Sequence, residues 1–217
     1  MGTSVTIYLM RHGKTILNKY QKMQGWCDAP LTEDGEAVAR EAAQRLSGVR
    51  FDKVYASDLG RTIRTAEIIL AGNDYGEGMQ VLPRKEFRET FFGSFEGTVN
   101  DVAYEAVAKT VGIPASELFK SLTLEEMTDA FKHTDPTGDA ESYQEFWDRV
   151  EGGLTSVVND ESLPDQANLL IVTHGNTIRH IVHTIDPTIN VFQEINNAGV
   201  TSLGYEDGTF SVRTFNE

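Results

Sequence analysis

Two short runs of almost uninterrupted apolar residues constrain the fold of this chain more than any other feature of its sequence. The first is VTIYLM at residues 5–10, and the second is LLIVT at residues 169–173. Runs of this kind are typical of strands in parallel sheets, where helices cover both faces. They therefore favour an α/β fold.

Helical patterns lie between the predicted strands. Thr32 is the expected N-cap of a first helix with apolar residues at helical spacing. A second strand over residues 54–56 leads to Ser57, which we expect to cap a helix that ends near Gly72, and a short third strand begins at Val81. Strands that alternate with helices predict a three-layer α/β sandwich with a mainly parallel central sheet.

Three further segments complete this expectation. Residues 98–140 hold several short helical patterns, which predict a helical insertion over the active-site end of the sheet. An apolar and aromatic stripe over residues 143–157 predicts a helix packed into the core. Residues 200–215 alternate around Asp207-Gly208 and predict a C-terminal β-hairpin. We expect residues 1–217 to form a single domain.

Charge and cysteine content argue against several classes of partner. The chain has 19 Lys and Arg against 33 Asp and Glu, a formal net charge of −14, which disfavours binding to nucleic acid or to an anionic membrane. Cys27 is the single cysteine, so a reducing compartment is expected. The first apolar run is too short for a signal peptide, and no segment approaches the roughly 20 apolar residues of a membrane span. We expect a cytoplasmic protein.

Basic side chains follow both buried strands at the point where each strand ends. Arg11 and His12 follow the first strand, His174 follows the second, and a glycine comes after each histidine. Ligands of α/β sheets bind beyond the carboxyl ends of the strands, so these side chains are expected to converge. Arg61 lies near the start of a predicted helix, where the helix dipole disfavours a cation and a bound anion would offset the cost. Arg64, one turn later, is a further candidate.

A glycine and a carboxylate complete the candidate site. Gly13 is expected to break the strand and to let backbone N–H groups approach an anion. The segment around FRETFFGSFEG supplies the carboxylate, and Glu86, Glu89 and Glu96 are all candidates because spacing does not distinguish them.

These residue types match phosphoryl transfer through histidine. A neutral imidazole is a nucleophile that forms a covalent phospho-enzyme, and two arginines bind the phosphate oxygens and offset their charge. A carboxylic acid protonates the leaving oxygen and then takes a proton from water. Arginines beside His12 are expected to lower its pKa, and a carbonyl that accepts its other N–H is expected to fix the tautomer. Attack by water gives a phosphatase, whereas transfer back to a bound substrate gives a mutase.

Five segments, in order along the chain, resemble the histidine phosphatase superfamily in its phosphoglycerate-mutase-like branch. They are LMRHGKT, QGWCDAPLTEDG, VYASDLGRTIRTAE, FRETFFGSFEG and IVTHGNTIRHI. The resemblance runs almost from end to end. It implies an enzyme that acts on a small phosphorylated substrate and needs no metal or other cofactor.

The resemblance also implies a role for each matching residue. His12 matches the phosphorylated histidine, His174 the second histidine that contacts the phosphoryl group, and Glu89 the proton donor. Arg11 and Arg61 match the phosphate-binding arginines. Further substrate contacts are expected at Asn18, Gln24, Gly25 and Gly175.

Departures from the glycolytic mutases favour the phosphatase-type branch. Those mutases grip the substrate carboxylate with paired arginines and a lysine in the insertion, whereas residues 98–140 of this chain contain no arginine. Their basic residues are spread apart, at Lys109, Lys120, Lys132 and His133. The sequence therefore predicts hydrolysis of a phosphomonoester, with a phosphoglycerate mutase as the alternative.

Three other interpretations fit the sequence less well. A non-catalytic phosphate-binding module of the same fold is expected to lose His12 or Glu89, and both are present. Cys27 with His174 would suit a cysteine hydrolase, but no oxyanion or orienting motif accompanies them. A metal site at His174, His180 and His183 lacks a cysteine or carboxylate to complete the set. Six aromatic residues in and just before the insertion are expected to be mainly core, although they would also suit an apolar leaving group. They are Phe91, Phe92, Phe95, Tyr104, Phe119 and Phe131.

Overall fold

The structure is a computed structural model that describes residues 4–217, and over that range it forms one six-stranded sheet and eight α-helices. The strands are β1 (Ser4–Arg11), β2 (Lys53–Ala56), β3 (Val81–Pro83), β4 (Gln166–Thr173), β5 (Val200–Glu206) and β6 (Thr209–Thr214). The helices are α1 (Ile16–Lys19), α2 (Glu33–Arg45), α3 (Gly60–Ala71), α4 (Asn100–Val111), α5 (Leu118–Ser121), α6 (Leu124–Thr134), α7 (Tyr143–Val158) and α8 (Gly175–Ile185).

The sheet is mainly parallel, as predicted. Its strand order is β3-β2-β4-β1-β5-β6, in which the first four strands run parallel and β5 and β6 are antiparallel to their neighbours. Asp207 and Gly208 connect β5 to β6 with φ of 49° and 81°. Positive φ at both central residues is the geometry of a two-residue hairpin turn, so the C-terminal hairpin is confirmed.

Alternate residues of β4 face two different helical layers. Leu169 and Ile171 belong to a buried cluster with residues of α7 and α8, whereas Leu170 and Val172 belong to a cluster with residues of α2 and α3. Successive side chains of a strand point to opposite faces, so the two clusters lie on opposite sides of the sheet. This arrangement confirms the three-layer sandwich and explains why both faces of the predicted strands are apolar.

The helical segment between β3 and α7 has an apolar cluster of its own. Helices α4, α5 and α6 pack around it, with Phe131 buried at its centre. Met23 and Phe92, from the loops that follow β1 and β3, belong to the same cluster. The segment therefore lies over the carboxyl end of the sheet, as predicted. Within residues 4–217, none of the helices combines the length and apolar character needed to cross a bilayer.

The structure confirms the predicted start of one helix and contradicts the predicted start of another. Thr32 caps α2 as expected, because its side chain accepts the N–H of Gly35 at 3.0 Å. The predicted cap at Ser57 is wrong, since α3 begins at Gly60. The N–H of Gly60 donates at 2.6 Å to the carboxylate of Asp28, which reaches the helix from a loop 32 residues earlier. The end of α3 at Gly72 is as predicted.

Candidate active site

Three neighbouring strands end at the same edge of the sheet. β4 lies between β2 and β1, Ala56 pairs with Val172, and Arg11 pairs with Thr173. The residues that directly follow β2, β4 and β1 are therefore Ser57, His174 and His12, respectively. Pairing of the strands alone brings both histidines together, and their ring centroids lie 5.2 Å apart.

The His12 imidazole is held in one tautomer. Its Nδ1 lies 2.7 Å from the carbonyl oxygen of Gly13, which can only accept, so Nδ1 carries the proton and Nε2 keeps its lone pair. The ring is buried. Burial is the largest cause that lowers the pKa of His12 well below its ordinary value, and the charges of Arg61 and Arg11 lower it further. The expected direction and the expected carbonyl are thus confirmed, although burial outweighs the arginines.

Arg61 is almost completely buried at the start of α3. Its Nη1 donates to the carbonyl of Cys27 at 2.9 Å and to Asp28 Oδ1 at 3.0 Å, and its Nη2 donates to the carbonyl of Gly25 at 2.7 Å. Asp28 therefore offsets the guanidinium charge and caps the helix that carries it. The Asp28 carboxylate thus offsets the cost of a cation at the start of the helix, which the sequence analysis attributed to a bound anion alone.

The His174 imidazole is fixed by the partners of both its nitrogens. Nδ1 lies 3.0 Å from Arg61 Nη2, which can only donate, so the neutral ring carries its proton on Nε2. Nε2 then donates to Ser57 Oγ at 2.8 Å, and Ser57 lies 2.7 Å from the hydroxyl of Thr62. Burial is the largest cause that lowers the pKa of His174 well below its ordinary value, with Arg61 next. His174 is therefore a neutral acceptor that orients Arg61.

Glu89 is buried against the first turn of α8. Its carboxylate accepts the N–H of Asn176 at 3.0 Å, the N–H of Thr177 at 3.1 Å and the N–H of Thr90 at 3.0 Å. Burial raises the pKa of Glu89 above its ordinary value, and this effect exceeds the opposing effect of the hydrogen bonds. A carboxyl whose pKa is raised can hold a proton nearer to neutral pH, as a general acid does.

The remaining predicted substrate contacts lie around this group. Gln24 accepts from Thr15 at 2.6 Å, and Asn18 accepts the N–H of Thr15 at 3.1 Å. Gly25 uses both of its backbone polar atoms within the protein, toward Glu96 and Arg61. A Cβ built on Gly175 would lie 3.5 Å from Arg11 Nε, so this glycine lies against the guanidinium.

Two residues of the predicted constellation lie elsewhere. Arg64 is exposed and pairs with Glu36 and Glu67, so it does not share the role of Arg61. The N–H of Gly13 is not directed at a ligand, because it donates to Thr65 Oγ1 at 3.0 Å. A side chain at Gly13 would instead meet the backbone of Gly35 at 2.5 Å, which explains the glycine by close packing of α2.

Cys27 does not have the properties of a nucleophile. Burial is the largest cause that raises the pKa of its thiol, to about 12, and the nearby Glu96 raises it further. A thiol of this kind stays protonated at neutral pH, whereas the thiolate is the reactive form. His174 is bonded to Ser57 and Arg61 rather than to Cys27. Among residues 4–217, no three His, Cys, Asp or Glu side chains are grouped as a metal site requires.

Comparison with known proteins places this arrangement in a family. The family model described as the histidine phosphatase superfamily, branch 1, matches residues 7–217. The chain belongs to the histidine phosphatase superfamily. It is 34% identical over 184 residues to the probable phosphoglycerate mutase GpmB of Serratia proteamaculans. The aligned region covers 82% of this chain and 74% of that protein.

Two further similarities cover more of the chain. The phosphoglycerate mutase-like protein 4 of Arabidopsis thaliana is 30% identical over 203 residues, or 93% of this chain and 80% of that protein. The crystal structure of a phosphoglycerate mutase from Bacillus anthracis superposes with a TM-score of 0.95 at 34% identity, over 100% of this chain and 94% of that one. Members of this superfamily include phosphatases and mutases, and the family and fold expected from the sequence are confirmed.

In this superfamily member, Glu96 has a structural role at the site that the sequence did not reveal. Glu96 is bound to four backbone N–H groups, those of Gly25, Trp26, Cys27 and Phe92, at 2.9–3.1 Å. Its carboxylate therefore joins the loop after β1 to the loop that carries Glu89. The carbonyls of Gly25 and Cys27 hold Arg61, so Glu96 positions the guanidinium indirectly.

Replacing Glu96 by glutamine is expected to weaken binding of inorganic phosphate by about tenfold, because an amide keeps only one of the two accepting oxygens. The measurement is the dissociation constant of inorganic phosphate in a calorimetric titration, with thermal unfolding recorded in parallel. Glu105→Gln, an exposed glutamate of α4, is the control and should change neither. A lower melting temperature with unchanged phosphate binding would show that Glu96 only stabilises the fold.

Proposed function

We propose that this chain is a phosphatase that hydrolyses phosphomonoesters through a phosphohistidine formed at His12. The observation that supports this most directly is a set of buried donors. Within residues 4–217, Arg11 Nε, Arg61 Nε and Gln24 Nε2 are buried and have no hydrogen-bond acceptor. Buried donors without an acceptor are costly and rare, and a phosphoryl group offers three acceptor oxygens.

In the first step, Nε2 of His12 attacks phosphorus with its free lone pair. The bond from phosphorus to the leaving oxygen breaks, and the proton held by Glu89 passes to that oxygen. Arg11 and Arg61 offset the charge of the phosphoryl oxygens during transfer. The His12 ring becomes a phosphohistidine whose Nδ1–H stays bonded to Gly13.

In the second step, Glu89 is a carboxylate and takes a proton from water. The water oxygen attacks phosphorus, the bond to His12 Nε2 breaks, and phosphate leaves. His174 stays neutral throughout, and its Nδ1 accepts from Arg61, so it acts on the transfer by orienting that guanidinium toward the phosphoryl oxygens. Each residue returns to its starting state, and no metal or cofactor is part of the proposal.

The mutase remains the second candidate, because relatives of this chain are named phosphoglycerate mutases. A mutase has to hold the carboxylate of phosphoglycerate in two orientations. A cavity lies under the helical segment and adjoins Glu89 through Asn176, whose backbone N–H donates to that carboxylate. Its lining contains a single cationic residue, Arg179, together with Glu194. Lys120 and Lys132 of the helical segment instead pair with Glu117 and Glu145. These contacts favour hydrolysis over isomerisation.

One assay distinguishes the two activities. The enzyme is incubated with 3-phosphoglycerate and, separately, with aryl and alkyl phosphates, each with and without a bisphosphoglycerate primer. The proposal predicts release of inorganic phosphate that does not depend on the primer. Primer-dependent conversion of 3- to 2-phosphoglycerate that exceeds phosphate release would make the chain a mutase.

A further inference from the structure

The cavity under the helical segment has a volume of about 320 Å³ and combines an apolar wall with a polar one. This volume is at the lower end of the range of about 300–1,000 Å³ that small-molecule sites occupy. Its apolar wall is made mainly of aromatic rings and one thioether, from Phe92, Tyr104, Phe119, Met127, Phe131 and Phe192. Four of the rings that the sequence assigned mainly to the core therefore face a cavity. Phe91 stacks on Trp26 instead, and Phe95 packs against Phe131.

The cavity adjoins the general acid of the proposed mechanism. Asn176 lines the cavity, and its backbone N–H donates to Glu89 at 3.0 Å. Tyr104 also lines it, and Glu89 is close enough to contribute to the raised pKa of the Tyr104 phenol, for which burial is the largest cause. A leaving group attached to the oxygen that Glu89 protonates would therefore extend toward these rings.

The polar part of the wall carries no excess charge. Arg179 donates to the side chain of Asn176 at 3.1 Å and to the carbonyls of Val191 and Gln193, and Glu194 lies beside it with the opposite charge. His180 lies against Thr128, and burial lowers its pKa to about 3, so it is neutral. An anionic leaving group would gain little here, whereas apolar surface would be removed from water.

We infer that the physiological leaving group is an uncharged, largely apolar alcohol or phenol of up to about two rings, bound in this cavity. The inference rests on the proposed phosphatase function and adds its substrate class. Ring-lined walls next to Glu89 provide the selectivity, while Arg11, Arg61 and His12 bind the phosphoryl group regardless of what leaves.

A series of alkyl phosphates tests the inference. Ethyl, butyl and hexyl phosphate have leaving groups of nearly equal basicity, so their specificity constants differ by binding alone. Each added methylene is expected to raise kcat/KM by about three- to fourfold until the cavity is filled. Inorganic phosphate is measured as the product. A flat series, or a higher specificity constant for 3-phosphoglycerate than for hexyl phosphate, would overturn the apolar leaving group while leaving the phosphatase intact. No phosphate from any ester would overturn both.

Two ring deletions localise the effect. Phe119→Ala is expected to lower kcat/KM about five- to tenfold for hexyl phosphate and less than about twofold for ethyl phosphate. Phe192→Ala, in a different segment of the cavity wall, is expected to show the same selective loss. It replaces Phe119→Ala in the test if that variant is unstable. Tyr75→Ala is the matched control, because Tyr75 is 52% exposed, as Phe119 is 51% exposed, and lies outside the cavity. Dephosphorylation of the phospho-enzyme should stay unchanged, since the leaving group has departed. Equal losses on both esters would contradict the assignment.

Discussion

Replacing His12 by alanine is expected to abolish phosphomonoester turnover, with a loss of at least about a thousandfold in kcat. The reason is chemical rather than structural, because no other described histidine at this edge of the sheet has a ring nitrogen with a free lone pair. His174 has both ring nitrogens bonded, to Arg61 and Ser57. Release of inorganic phosphate from hexyl or aryl phosphate is the measurement.

A control measurement establishes that the His12→Ala variant is still folded. The His12 side chain has one hydrogen bond, to the carbonyl of the next residue, so its loss should leave circular dichroism and cooperative thermal unfolding intact. His133→Ala, at an exposed position of α6, should keep the parent activity. A folded His12→Ala protein that retains most of its turnover would show that His12 is not the nucleophile.

Replacing Glu89 by glutamine is expected to slow hydrolysis by about a hundredfold or more for alkyl phosphates and far less for nitrophenyl phosphate. Alkoxide is a poor leaving group that needs a proton, whereas nitrophenolate leaves without one. The measurement is the slope of kcat/KM against the pKa of the leaving alcohol, which should become steeper in the variant.

The pH profile offers an independent test of the same role. Burial raises the pKa of Glu89, so the protonated acid persists above its usual range and is lost as pH rises through that raised pKa. With alkyl phosphates, kcat/KM should therefore fall on the alkaline side in the parent, and the variant should lack this limb. The lowered pKa of His12 means that protonation of the nucleophile should limit the rate only well below pH 6.5.

Glu86→Gln is the matched control for the acid. Glu86 lies three residues earlier, and its side chain is 40% exposed and near Arg84. Spacing in the sequence did not separate it from Glu89, but the structure does, since Glu89 lies buried against α8 and Glu86 does not. If Glu89→Gln slows aryl and alkyl esters equally, or if Glu86→Gln has the larger effect, the general acid has been assigned to the wrong residue.

Local patterns predicted those parts of the fold that local physics determines. The apolar runs of β1 and β4, the Thr32 cap and the Asp207-Gly208 turn depend on residues adjacent in sequence, and all were correct. The convergence of the two histidines followed from the rule that parallel strands end together. The family resemblance selected Glu89 among three carboxylates.

Contacts between distant segments were not predictable in this way. Asp28 caps α3 and neutralises Arg61 from 32 and 33 residues away, so Ser57 appeared to be the cap. Glu96 binds N–H groups about 70 residues earlier, and nothing in its own segment marks that role. Burial is the main cause of the His12 and Glu89 pKa shifts, and burial depends on the packed tertiary structure. Tertiary packing also decides which aromatic rings of the helical segment lie in the core and which line the cavity, so the sequence did not distinguish them.

The most direct test of the mechanism is rapid alkaline quenching of the enzyme during turnover of a radiolabelled phosphomonoester, followed by peptide mapping at alkaline pH. We expect acid-labile, base-stable phosphate on His12 within one turnover, approaching one group per chain when dephosphorylation is slow. Phosphorus NMR should place it on Nε2, because Nδ1–H is bonded to Gly13. Active enzyme that carries no phosphate on His12, or carries it on another residue, would contradict the proposed mechanism.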